Sequence, residues 1–328
     1  MQQIYNVSSN PHDRGRATTA GIMRTVALAL LPAALFGVWN FGLRALLVLA
    51  LSVLSSVLFE FLTEKLLKKP ITIRDGSAIV TGLLIGMNLP AGVPVWMPVL
   101  GSAFAIILVK QLYGGLGQNF MNPALAARAF LLISFAGRMT DFSAGAGYRG
   151  VVDAVSGATP LAALKANGLT EGSVSLWHMF LGDIQGTIGE TSALLLLLGG
   201  LALVVLGVIR LRIPVAYLGS FSAFVLLFRL IGSQGFDGRF LLAHLCGGGL
   251  MLGAWFMATD YVTSPITPRG QWVYGCFLGV LTAILRLFGG AAEGTSYAIL
   301  IGNLLVPVIE RFTQPTAFGK GGKKHVPA

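Results

Sequence analysis

Long apolar runs alternate with short polar interruptions along this chain, and the runs are too continuous to be one-sided soluble helices. A helix needs about 20 apolar residues to cross ~30 Å of hydrocarbon. On that criterion the pattern predicts about ten membrane helices. The first group has approximate cores at Thr25–Trp39, Leu43–Leu62, Ser77–Leu89, Val95–Leu112 and Asn122–Gly137. After a long polar insert the second group follows at Thr187–Ile209, Val215–Leu230, Phe240–Ala258, Gln271–Phe288 and Ser296–Phe312. The third run is short, and Pro90 closes it. The expected fold is an all-α polytopic membrane protein. It has an N-terminal segment (1–24), a first five-helix unit (25–137), a polar loop (138–186), a second five-helix unit (187–312) and a basic tail (313–328).

Composition agrees: the chain is 55% hydrophobic and 11% charged, with a mean hydropathy of +0.77, against roughly 25% charged residues in soluble domains. The net charge of +10 raises nucleic acid as a partner, but no basic run stands beside aromatic residues in a polar segment, which excludes that class. The cations instead sort by side. With a cytoplasmic N-terminus, the inner connections hold Arg14, Arg16, Arg24, Lys65, Lys68, Lys69, Arg74, Lys110, Arg210, Arg212, Arg269, Arg311, Lys320, Lys323 and Lys324. The outer ones hold only Arg44, Arg138, Arg149, Lys165, Arg229 and Arg239, although they include the longest loop. This is the positive-inside pattern, so both termini are expected in the cytoplasm and the 138–186 loop outside. The first apolar run follows arginines but no small-residue cleavage site follows it, so it reads as a retained helix. Cys246 and Cys276 are too few and too far apart for a metal or iron–sulfur centre and read as buried helix thiols.

An internal duplication is visible. Leu112-Tyr113-Gly114-Gly115 recurs as Leu287-Phe288-Gly289-Gly290, and Pro90 recurs as Pro265, each offset by 175 positions (287 − 112 and 265 − 90). Two halves of five spans each enter the membrane from opposite sides, because five is odd, so the expected repeats are inverted. Such folds carry function where short or broken helices meet.

The polar loop contains Asp153-Ala154-Val155-Ser156-Gly157-Ala158-Thr159-Pro160. Thr159 followed by proline reads as a helix cap with proline at the first helical position. Ser156, Gly157 and Ala158 also remove bulk, so backbone amides can approach a ligand, and a helix N-terminus at the same point favours phosphate. The stretch resembles the D-x-x-[ST]-G-A-T signature at which a flavin transferase joins FMN to threonine through a phosphoester. Asn10-Pro11-His12-Asp13-Arg14 resembles an S-P-H-x-R motif, with asparagine in place of the usual serine. The run Gly115-Leu116-Gly117-Gln118-Asn119-Phe120-Met121-Asn122-Pro123-Ala124 and the span count complete the likeness. Across nearly its whole length the chain resembles the family that supplies both the D component of the Rnf complex and the B component of the sodium-pumping quinone reductase. The short N-terminal region favours the Rnf branch.

The resemblance implies a membrane component of a ferredoxin:NAD oxidoreductase in the bacterial inner membrane, relaying electrons coupled to sodium or proton transport. It implies FMN on Thr159, with Asp153, Ser156, Gly157 and Ala158 around it. It further implies a second, noncovalent flavin, riboflavin, near the inner surface, with Asn119, Asn122 and Asp260 as contacts; the same residues read equally as interfacial helix caps. The implied partners are the other Rnf subunits (A, B, C, E and G), the flavin transferase and the bilayer. Arg128 lies within the fifth span and must face the bundle or snorkel, whereas Arg286, near its span's outer end, can reach water. His244 reads as a satisfied packing residue. No catalytic triad, phosphate-binding loop with lysine or metal cluster is visible, so the chain is not expected to turn over substrate alone. The alternative is a channel or solute transporter with inverted repeats and no redox role.

Overall fold

The computed structural model describes residues 17–142, 161, 164, 175–190, 192–232, 237–289 and 293–315. The described chain is helical. Its helices are α1 (Thr19–Phe41), α2 (Leu43–Leu66), α3 (Ser77–Met87), α4 (Trp96–Gln111), α5 (Pro123–Ser134), α6 (Leu176–Leu181), α7 (Ala193–Val205), α8 (Arg212–Ile231), α9 (Gly238–Cys246), α10 (Leu250–Met257), α11 (Pro268–Phe288) and α12 (Thr295–Thr313). Local signals set several starts: the Thr18, Ser192, Asp237 and Thr267 side chains accept backbone N–H bonds at the heads of α1, α7, α9 and α11, as N-caps should.

Every predicted run holds a helix, but the described helices are not ten full-length spans. Five, namely α1, α2, α8, α11 and α12, are long and apolar enough to cross a membrane. A sixth is counted if α9 and α10 form one span, bent by 65°. The helices α3, α4, α5 and α7 are apolar but shorter. Two expectations change for local reasons. The sixth run starts at Ala193 rather than Thr187, because the preceding chain is spent pairing with the end of α3, through Ile188 N to Leu89 O (3.0 Å) and Gly189 N to Met87 O (2.7 Å). The eighth run breaks at Gly247-Gly248-Gly249, where Gly248 has φ +66°, a conformation that glycine adopts without steric cost.

Small residues set the helix packing, as in membranes generally. Helix α11 lies so close to α8 that a Cβ at Gly279 would fall 2.0 Å from Ser220 Oγ and 2.4 Å from Tyr217 O. Between α3 and α2, a Cβ at Gly82 would fall 2.6 Å from Ser52 O.

The 175-residue offset returns as a pair of contacts. Arg128 on α5 donates to Asn88 Oδ1, at the end of α3, and to Ser296 Oγ, at the head of α12, both at 3.0 Å. Asn303 on α12 donates to Thr263 O (2.9 Å), beyond α10, and accepts from Asn122 N (3.1 Å), at the head of α5. Arg128 and Asn303 are 175 positions apart (303 − 128), as are Asn88 and Thr263 (263 − 88). Thus α5 reaches the end of α3 and the head of α12, while α12 reaches the chain beyond α10 and the head of α5.

The helix break is stabilised by charge. Arg286 donates to His244 O and Gly247 O, the free carbonyls at the end of α9. Glu293 Oε1 accepts from Gly249 N (2.8 Å) at the start of α10. Glu293 also pairs with Arg128, which pairs in turn with Glu190 at 2.8 Å. Arg286 is only 2% exposed, so it caps a broken helix rather than reaching water. His244 is buried with Nδ1 unpartnered among the described residues and its ring edge against Phe240; it packs, but its polar atom is not satisfied. Neither cysteine is a fully buried thiol: Cys246 is half-buried and Cys276 lies exposed on α11.

Three substitutions test this packing. Gly279→Leu forces α8 and α11 apart and lowers stability by about 1–3 kcal/mol, read as a drop in the Tm of the detergent-solubilised chain. Arg128→Gln strands two carboxylates and costs roughly 3–5 kcal/mol in the same assay. Arg128→Lys, which keeps the charge but loses the planar fork, falls between it and the unaltered protein.

Candidate functional site

The residues following α4 explain how the predicted polar groups come together. Helix α4 ends in a π-wound segment, Phe104–Gln111, a form that recurs at functional positions. The chain then turns through Gly115 (φ +103°) and Gly117 (φ +93°), conformations that would strain a side-chain-bearing residue. The turn delivers Asn119 and Asn122 beneath the bundle, and Pro123 starts α5.

Asn119, Asn122 and Asp260 line one cavity. Its walls are mostly apolar, built from Val26, Val80, Leu84, Leu203 and Phe256, with Lys110 and Thr259 among the polar groups. Mostly apolar walls with a few convergent polar groups are the lining of a small-molecule site. The three residues differ in what they have free. Asn122 is the N-cap of α5: its Oδ1 accepts from Ala124 N (3.0 Å) and Leu125 N (3.3 Å), and its Nδ2 reaches Met257 O (3.4 Å). Asn119 is 5% exposed and donates from Nδ2 to Met121 O (3.2 Å). Asp260 lies beyond α10 and accepts from Thr263 Oγ1 (3.0 Å). Burial pushes its carboxyl above the ordinary carboxylate value, against the pull of the Thr263 hydroxyl and the Lys110 charge.

Lys110 is a site residue that the sequence does not single out, and its expected place among the cytoplasmic loop cations is wrong. It is 2% exposed, with Nζ 2.5 Å from Glu60 Oε1 and 2.6 Å from Ser77 Oγ. Gln111 Nε2 joins the pair, donating to Glu60 Oε1 (3.1 Å) and Glu64 Oε1 (3.3 Å). Glu60 is fully buried, and its Oε2 has no partner among the described residues. A legible signal exists: Glu60 and Glu64 stand one turn apart inside an apolar run, and an ionisable group in a span needs a partner.

Asp153, Ser156, Gly157, Ala158 and Thr159 lie outside the described residues. Just beyond them, Leu161 and Leu164 are buried against Met179 on α6 and Ala243 on α9. The next turn of α9 ends at Gly247, where an added Cβ would meet Met179 Cε at 2.9 Å and Leu161 Cδ1 at 3.7 Å.

Residues 6–319 match the family described as NQR2, RnfD, RnfE. The chain is 50% identical, over 95% of its own length and 95% of the relative's, to the D subunit of the Na(+)-translocating ferredoxin:NAD(+) oxidoreductase complex of Acetobacterium woodii. It is 44% identical, over 97% of each chain, to the D subunit of the proton-translocating ferredoxin:NAD(+) oxidoreductase complex of Clostridium ljungdahlii. With the D subunit of the ion-translocating oxidoreductase complex of Aeromonas salmonicida it shares 39% identity over 96% of this chain and 99% of the other. A helical, multi-pass membrane protein with this match along nearly its whole length belongs to the NQR2, RnfD, RnfE family.

Proposed function

We propose that the protein is the D subunit of an Rnf complex, an ion-translocating ferredoxin:NAD oxidoreductase, and relays electrons coupled to the movement of sodium or protons. The carrying observation is the convergence of Asn119, Asn122 and Asp260 with Lys110 on one mostly apolar cavity. The chain around them is half identical to a protein named for that activity.

In this reading the ten apolar runs are ten spans in two inverted five-helix repeats, supported by the matched Arg128 and Asn303 contacts. The protein lies in the bacterial inner membrane with both termini cytoplasmic. The cavity then opens towards the cytoplasm, and the Thr159 loop lies on the far side.

Two flavins complete the reading: FMN esterified to Thr159 by a flavin transferase, and a noncovalent riboflavin in the cavity. A bound flavin supplies the exchange between one- and two-electron transfer; the protein supplies position and electrostatics. The apolar walls suit a flat ring and exclude water. Lys110 supplies a fixed positive charge, held in place by Glu60 and Ser77. Nicotinamide and ferredoxin bind other subunits (A, B, C, E and G).

The test is a denaturing gel of the protein from cells that make the transferase. Its band fluoresces under ultraviolet light, Thr159→Ala abolishes that fluorescence, and acid precipitation of the variant still releases free flavin. A dark band from the unaltered protein rejects the covalent assignment, and a flavin-free supernatant rejects the cavity assignment.

A further inference from the structure

A second cleft opens where α7 ends and α8 and α11 begin. It adjoins the cavity along Val208, Ile209, Thr259 and Tyr261, and the Tyr261 hydroxyl closes the boundary by donating to Val208 O. Its chemistry differs from that of its neighbour. Arg210 stands in its wall. Arg212, in the first turn of α8, donates from Nη1 to Oε1 of the wall residue Gln271 at 3.4 Å.

The head of α8 has no cap. Leu211 offers no side-chain acceptor, and the first turn has no acidic residue. The amides of Arg212 and Ile213 are therefore without the acceptor that a helix start normally recruits, and they carry the positive end of a 20-residue helix dipole. Two arginines beside that end are unfavourable unless an anion joins them. The neighbouring helix start differs: Thr267 Oγ1 caps α11 through Gly270 N (3.1 Å).

A third element points to the same ligand. Ser264 lies in the cleft wall, is 8% exposed, and its hydroxyl has no hydrogen-bond partner among the described residues. The two nearby carboxylates are turned to partners of their own, Glu310 to Ile266 N (2.8 Å) and Asp260 to Thr263 Oγ1 (3.0 Å). Arginines needed only for membrane orientation require charge on the right side. They do not require a serine that is 8% exposed, with no hydrogen-bond partner for its hydroxyl among the described residues, in the wall beside them.

We propose that this cleft binds a phosphate group through Arg210, Arg212, the first amides of α8 and the Ser264 hydroxyl. The phosphate belongs to an anionic lipid headgroup or to a soluble phosphate ester. Arginine and an open helix N-terminus are the groups that recognise phosphate elsewhere. The assignment does not depend on either flavin.

The full-length chain in nanodiscs tests it, with phenylglyoxal labelling of each arginine followed by peptide mass spectrometry. In phosphatidylcholine discs, added inorganic phosphate slows labelling of Arg210 and Arg212 several-fold and leaves Arg24 and Arg74 unchanged if the source is soluble. Protection that instead appears only in phosphatidylglycerol discs identifies the lipid source. Ser264→Ala, a small change that leaves the fold intact, weakens the protection in whichever arm shows it. Equal protection of all four arginines, no protection in either arm, or protection untouched by Ser264→Ala overturns the proposal.

Discussion

The constraint on which this structure depends is that a broken helix in an apolar bundle must have its backbone ends satisfied by something other than water. Helices α9 and α10 part at three glycines, and the bundle answers with full charges. Arg286 takes the carbonyls that α9 leaves open, and Glu293 takes the first amide of α10. Each charge then needs its own counter-charge, since an unpaired ion costs far more than an unpaired amide. Arg128 and Glu190, from segments far away in sequence, meet that need. One backbone break thus draws α5, the segment before α7, α11 and the head of α12 to a single point.

That convergence positions the cavity. Locking α5 against α12 and against the end of α3 fixes the opposite end of α5, where Asn122 is both N-cap and backbone donor to Asn303. The cavity is the space left beneath this crossing, between α3, α5 and the end of α10. A second buried ion pair, Lys110 with Glu60, sits in its wall. The helix ends therefore set the shape of the site, and a few charged side chains set its potential.

Much of this is legible in the sequence. Runs of apolar residues locate every long helix within a few positions, because continuous hydrophobicity is the strongest signal a membrane helix carries. Asn119, Asn122 and Asp260 are grouped by the family resemblance, their own pattern reading equally as helix caps, and the three share a cavity. Charges within spans are where sequence and structure part. Lys110 reads as a loop cation and Arg286 as an interfacial one, since sequence position shows depth only to within a helical turn or two. Glu60 draws no notice because its partner lies 50 positions away. The segment before Ala193 reads as helix because its composition is apolar enough. Its pairing with α3 through Ile188 and Gly189 is a tertiary fact that periodicity cannot carry.

The positions Arg128 and Asn303, 175 apart, make comparable contacts with unlike chemistry. Arg128 on α5 reaches the end of α3 and the head of α12, and Asn303 on α12 reaches the chain beyond α10 and the head of α5, yet one is charged and the other is not. The Arg128 crossing recruits two carboxylates and is sealed by ion pairs that are costly to separate. The Asn303 crossing relies on neutral bonds to Thr263 O, Tyr274 Oη and Asn122 N, and it is this crossing that borders the cavity through Asn122.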